Sequence, residues 1–120
     1  MRALRLVLTT PDAERFRGAL TLAAAQAALG GEAALFLQLD AVAMLRPPIA
    51  GPRDAAHADA GLPTLSTLLT EAIALGVRVT ACQSGMALGD IGVDDLPEGV
   101  EVGGPLQFLA DGGEGPVVLG

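Results

Sequence analysis

Two short apolar runs flank a helical stretch near the start of the chain, and together they restrict the fold more than any other feature. Leu4 to Thr9 is apolar but for Arg5, and Ala33 to Leu39 is broken only by Gln38. Between them Phe16, Ala19, Leu20, Ala23, Ala24 and Ala27 recur on one helical face, and Gly30-Gly31 closes the stretch. Strand, helix, strand in this span is a βαβ unit, which is almost always parallel and right-handed. The helix is expected to open with Thr10 as its cap and Pro11 in the first helical position. Asp12 and Glu14 then lie at the positive end of its dipole.

The alternation continues. Asp40 to Leu45 reads as one or two helical turns capped by Asp40. Arg46 to Leu62 holds three prolines and two glycines, which argues for a long irregular loop of functional or mobile character. Pro63 and Thr64 open a helix with Leu65, Leu68, Leu69, Ala72 and Ile73 on its buried face, and Gly76 ends it. Val77 to Ala81 is a third strand. Its alternation puts Val77, Val79 and Ala81 on one face and Arg78, Thr80 and Cys82 on the other. Gln83 to Gly89 reads as a short helix or turn, and Val100 to Val102 as a fourth strand. After Gly103-Gly104-Pro105 comes a helix carrying Leu106, Leu109 and Ala110. A loop is expected over 111–115, then an edge strand from Pro116 to Leu119. The expectation is one α/β domain over 1–120. It has three layers, with a five-stranded parallel sheet, helices on both faces and the flavodoxin-like order 2-1-3-4-5.

Composition excludes several function classes. The chain has 120 residues, no Lys, seven Arg against fourteen acids, and a net charge of −7. Such a surface repels phosphate backbones and anionic headgroups, so no nucleic-acid or membrane partner is expected. One Cys and one His leave no internal disulfide and no Cys/His metal cluster, and no cofactor is expected. The cysteine usage suits a reducing, cytoplasmic setting. The apolar run at the N-terminus is too short for a signal-peptide core or a membrane span.

In open α/β sheets, ligands bind beyond the C-terminal strand ends, where strand order reverses. For order 2-1-3-4-5 that point lies between the first and third strands. Thr9-Thr10 and Cys82-Gln83-Ser84 are then neighbours, bordered by Gln38 to Asp40 and the long loop. A helix N-terminus favours a thiolate, which is the nucleophilic form of cysteine. The N–H groups of Ser84, Gly85 and Met86 are expected to face the sulfur. Gly85 would permit close backbone approach, and Met86 could touch a ligand. The competing reading is a small buried hydrophobe at a strand end. His57 is a candidate general base, or simply an exposed loop residue. Gly103-Gly104 is a weak anion-cradle signal. Asp94 and Asp95 read as turn residues, and Arg46 and Arg53 as solvent-exposed or as recognising an acidic partner.

Val79-Thr80-Ala81-Cys82-Gln83-Ser84-Gly85-Met86-Ala87-Leu88, then Leu96 to Gly104 and Leu106 to Leu109, resembles the DsrE/DsrF-like family of small α/β proteins linked to sulfur transfer. Phe36 to Leu45 followed by Arg46-Pro47 is also similar to the second-strand region of that family. The resemblance implies a flavodoxin-like fold and a homo-oligomer, commonly a trimer or hexamer. In sulfur-carrying members a cysteine holds a persulfide, and the matching position is Cys82. With no second cysteine, a relay would need a donor or acceptor protein to supply the other thiol. The expectation is therefore a sulfur carrier with Cys82 as its catalytic residue and Thr10, Gln83, Ser84, Gly85 and Met86 around the substrate. The alternative is a non-catalytic oligomeric module with an inert cysteine. A third reading is a small-ligand sensor with the long loop as a lid.

Overall fold

The computed structural model describes residues 1–112 and 116–120. Five parallel strands form one sheet: β1 (Leu4–Leu8), β2 (Ala33–Leu37), β3 (Arg78–Cys82), β4 (Glu101–Gly103) and β5 (Val117–Leu119). The helices are α1 (Ala13–Ala28), α2 (Asp54–Asp59), α3 (Leu65–Ala74), α4 (Gln83–Leu88) and α5 (Pro105–Asp111). A 3-10 helix, Leu39–Leu45, follows β2, and a 3-10 turn, Val93–Asp95, precedes β4. The α/β class, the parallel sheet and the helical cover on both faces match the expectation. The loop expected over 111–115 falls partly on 113–115, outside the described residues.

The strand order corrects the expectation. It is β4-β3-β2-β1-β5, not 2-1-3-4-5. The chain steps three times in one direction, from β1 to β4, and then returns across the sheet to place β5 beside β1. Right-handed crossovers in one direction lay their helices on one face, and a return crossover uses the other. Accordingly α1 and α3 pack together, and Leu6, Leu8, Leu35, Leu37, Val79 and Ala81 beneath them are buried. On the opposite face Arg5, Ala34 and Arg78 form one row, and Val7, Phe36 and Thr80 the next. There α5 is the cover, with Phe108 stacked on Phe36 at 4.8 Å between ring centroids and 13° between planes.

Local chemistry explains most of the element ends. Asp12, not Thr10, caps α1: its carboxylate accepts from the N–H of Glu14 at 3.0 Å and of Arg15 at 3.1 Å. Pro11 therefore precedes the cap, where its missing N–H costs no intrahelical bond. Thr64 caps α3, accepting from the Thr67 N–H at 3.4 Å. Asp95 accepts from the Gly92 N–H at 2.9 Å, so this acid serves a turn.

Arg46 to Leu62 is more regular than expected, because residues 54–59 form α2. The prolines and glycines of the segment fall outside this helix: Pro52 lies before it, and Gly61 turns the chain afterwards at φ 79°. Between them Asp54, four alanines and His57 present no helix breaker.

Gly18 lies in the exposed interior of α1, and a Cβ added there would meet nothing within 4 Å. Gly18→Ala is therefore expected to stabilise the fold by about 0.5–1 kcal/mol, through helix propensity and a less flexible unfolded chain. Urea unfolding measures it; an unchanged or lowered midpoint would refute the open environment described for this position.

Candidate functional site

Cys82 is the last residue of β3 and the N-cap of α4, with extended backbone (φ −71°, ψ 131°). It is 4% exposed. Its sulfur makes no capping hydrogen bond, so the expected pointing of α4 N–H groups at the thiol is not seen as a bond. Across the sheet it is in register with Gly103 of β4.

Strand order changes the neighbours of this cysteine. Because β2 lies between β1 and β3, the ends of those two strands are about 10 Å apart. Thr10, which is exposed beyond the end of β1, is not brought beside Cys82. The point of reversed strand order lies instead between β1 and β5. Gln83 and Ser84 are exposed on the first turn of α4, while Gly85 and Met86 are buried.

Gly85 does allow a close approach, but to the 3-10 helix rather than to the thiol. A Cβ there would collide with Val42 Cγ2 and lie 2.7 Å from the carbonyl oxygen of Leu39. Leu39 itself is in the left-handed region at φ 53°, a conformation that costs a non-glycine residue about 1–3 kcal/mol. Arg46 ties the same two elements together. Its Nη2 donates to the carbonyls of Gly89 at 3.1 Å and Asp90 at 2.7 Å, at the C-terminal end of α4. The α4 turn that begins at Cys82 is thus fixed by contact with the chain that leaves β2.

The remaining candidates are dispersed. His57 is on α2, with Nε2 3.3 Å from Glu14 Oε2 of α1. Arg53 is exposed at the N-terminus of α2. Gly103 and Gly104 line a cleft of about 40 Å³ under α5, with Arg5, Thr80, Gln107 and Phe108. That volume holds one or a few waters rather than a drug-sized ligand. Among the described residues no group of three or more His, Cys, Asp or Glu is gathered for a metal.

Two buried arginines were not singled out as candidates. Arg5 is 5% exposed beneath α5, with Nη1 3.5 Å from the carbonyl of Leu109. Arg17 is 6% exposed and donates through Nη2 to Asp54 at 2.6 Å and through Nη1 to the Pro63 carbonyl at 3.0 Å. Both were visible as charges next to apolar residues, Arg5 within a strand and Arg17 beside Phe16.

The N–H groups of Gly51 and Leu65, followed by the Arg17 guanidinium, hold the Asp54 carboxyl down to about 2, from an ordinary value of 3.8. A carboxyl depressed in the folded state binds fewer protons there than in the unfolded chain. Its contribution to stability is therefore complete above the unfolded value and is lost as pH falls from 3.8 towards about 2. The wild-type protein should lose stability more steeply than Asp54→Asn over this window. Parallel acid-unfolding curves for the two proteins would contradict it.

No family model matches the chain, and no curated protein is similar to it in sequence. Similar folds are found among solved structures. The protein of unknown function MTH1491 from Methanobacterium thermoautotrophicum superposes with a TM-score of 0.71 at 16% identity, covering 100% of both chains. The ychN protein from E. coli gives a TM-score of 0.67 at 21% identity, covering 98% of this chain and 99% of that one. The chain shares the fold of both. At these identities the likeness establishes architecture, not activity. Among the described residues no helix is long and apolar enough to cross a membrane.

Proposed function

We propose that the protein is a sulfur carrier of the DsrE/DsrF-like kind, holding sulfane sulfur on Cys82 in a reducing, cytoplasmic setting. The observation that carries this reading is the position of the only cysteine, at the junction of β3 and α4. The fold shared with ychN supports it. In the step envisaged, the Cys82 thiolate attacks the outer sulfur of a donor persulfide. A new S–S bond forms on Cys82, the donor S–S bond breaks, and the donor leaves as a thiolate. The reverse exchange passes the sulfur to an acceptor thiol, so there is no net oxidation. Gln83 and Ser84, exposed on the first turn of α4, are the residues an incoming partner meets first, beside buried Gly85 and Met86.

Mass spectrometry after incubation with a persulfide donor tests the reading. The expected result is a gain of one sulfur atom on Cys82, absent in Cys82→Ala. Transfer by Cys82→Ala as fast as by wild type would end it.

A second reading, a non-catalytic oligomeric module, draws on the 4% exposure of Cys82 and on the exposure of Leu106 and Leu109 of α5 and Leu119 of β5. Burying those leucines between copies would account for a trimer or hexamer. Alkylation separates the two readings: a carrier thiol labels in the native protein, whereas an inert one labels only on unfolding. A monomer by light scattering would remove the oligomer from both.

A further inference from the structure

We propose that residues 50–62 form a strap that opens as a unit from an otherwise intact domain, with the Asp54 carboxylate as its latch. None of the residues of α2 is buried, so apolar packing does not hold this helix down. Its attachment is polar and converges on one side chain. Asp54 accepts from the N–H of Gly51 at 3.0 Å within the strap, from Arg17 Nη2 of α1 at 2.6 Å, and from the N–H of Leu65 at the start of α3 at 3.0 Å. A single carboxylate thus joins three segments. Around it lie Glu14, 3.4 Å from Arg17 Nε, and His57, 3.3 Å from the other oxygen of Glu14. Segments with few buried apolar contacts open locally at free energies below that of global unfolding.

Both ends of the strap suit such a motion. Upstream, half-buried Ile49 packs on the core and Arg46 is bonded to Gly89 and Asp90, so the chain is anchored just before the strap begins. Downstream, Gly61 at φ 79° supplies a turn, and the Thr64 cap on the Thr67 N–H does not involve the strap, so opening costs α3 only the bond from the Leu65 N–H to Asp54. The backbone at Gly51 lies directly over Ala13, Arg17 and Leu65. Opening therefore bares a guanidinium and a leucine that the closed form keeps 6% and 1% exposed. The proposal is independent of any chemistry at Cys82.

Hydrogen exchange of the full chain, read by mass spectrometry at neutral pH, tests it. In the wild type, amides of residues 54–60 are expected to exchange at least about tenfold faster than those of β1 to β3, with little dependence on low urea. Asp54→Asn should speed them about a further tenfold and leave the strands unchanged. The proposal is overturned if strap and strands exchange at one rate with one urea dependence, or if the substitution accelerates both equally. The wild-type urea dependence decides alone should the variant fail to fold.

Discussion

Phe36→Ala is expected to lower the unfolding free energy by about 3–5 kcal/mol, the range for truncating a fully buried aromatic side chain. Phe36 is 1% exposed in β2, the central strand. Its ring is also the platform on which Phe108 stacks, so the truncation removes an aromatic contact between α5 and the sheet. At about 4 °C per kcal/mol for a domain of this size, the midpoint should fall by roughly 12–20 °C. Phe36→Leu keeps most of the volume and loses the stacking, so about 1–2 kcal/mol is expected. Phe108→Ala should cost less than Phe36→Ala, because Phe108 is only half-buried. Thermal unfolding of the three variants checks the order; a Phe36→Ala midpoint within a few degrees of wild type would contradict the packing described.

Gly85→Ala is the second large effect, and its sign opposes ordinary helix propensity. Inside a helix the change would add about 1 kcal/mol of stability. Here the new methyl group meets Val42, which is fully buried, and the Leu39 carbonyl oxygen. Backbone cannot rotate away as a flexible side chain can, so α4 or the 3-10 helix must move. Overpacking of this kind costs about 1–3 kcal/mol net. Because α4 begins at Cys82, the same displacement should change the alkylation rate of that thiol. Gly18→Ala, with open space around the new methyl, is the control. If Gly85→Ala raises the midpoint as Gly18→Ala does, the close approach of α4 to Leu39 is wrong.

The elements were largely legible from local signals. Helical spacing, the glycine stops and the three-to-seven-residue apolar runs gave five strands and the main helices within a residue or two. Cap identity was less secure: Thr10 and Asp12 are both good capping types, and only the backbone decides between them. Within 46–62, the breakers outweighed Ala55, Ala56 and Ala58, although Pro52 and Gly61 bound that helix rather than interrupt it. Strand order is set by pairings between distant segments, to which spacing is blind. One residue-level signal did bear on it. Ala33-Ala34-Leu35-Phe36-Leu37 carries no charge, as suits a strand buried on both faces and flanked on both sides. Order 2-1-3-4-5 would have left that strand at an edge, where natural sheets tend to place charge. As for the site, Cys82 and its junction could be read directly, but the expected proximity of Thr10 followed from the misplaced order.

The pairing of β5 with β1 has a consequence for how the chain reaches this structure. Arg5 is in register with Val117, and Gly120 N–H donates to the Val7 carbonyl at 2.9 Å. Of the five strands of this sheet, the first in chain order therefore waits for the fifth before both its edges are bonded. Contacts that close so long a loop form slowly relative to local ones. Until then Leu6-Val7-Leu8 presents an open apolar edge, the kind that pairs with another chain. Assembly of β1 to β4 alone leaves that edge of β1 open, and the three residues of β5 cover it.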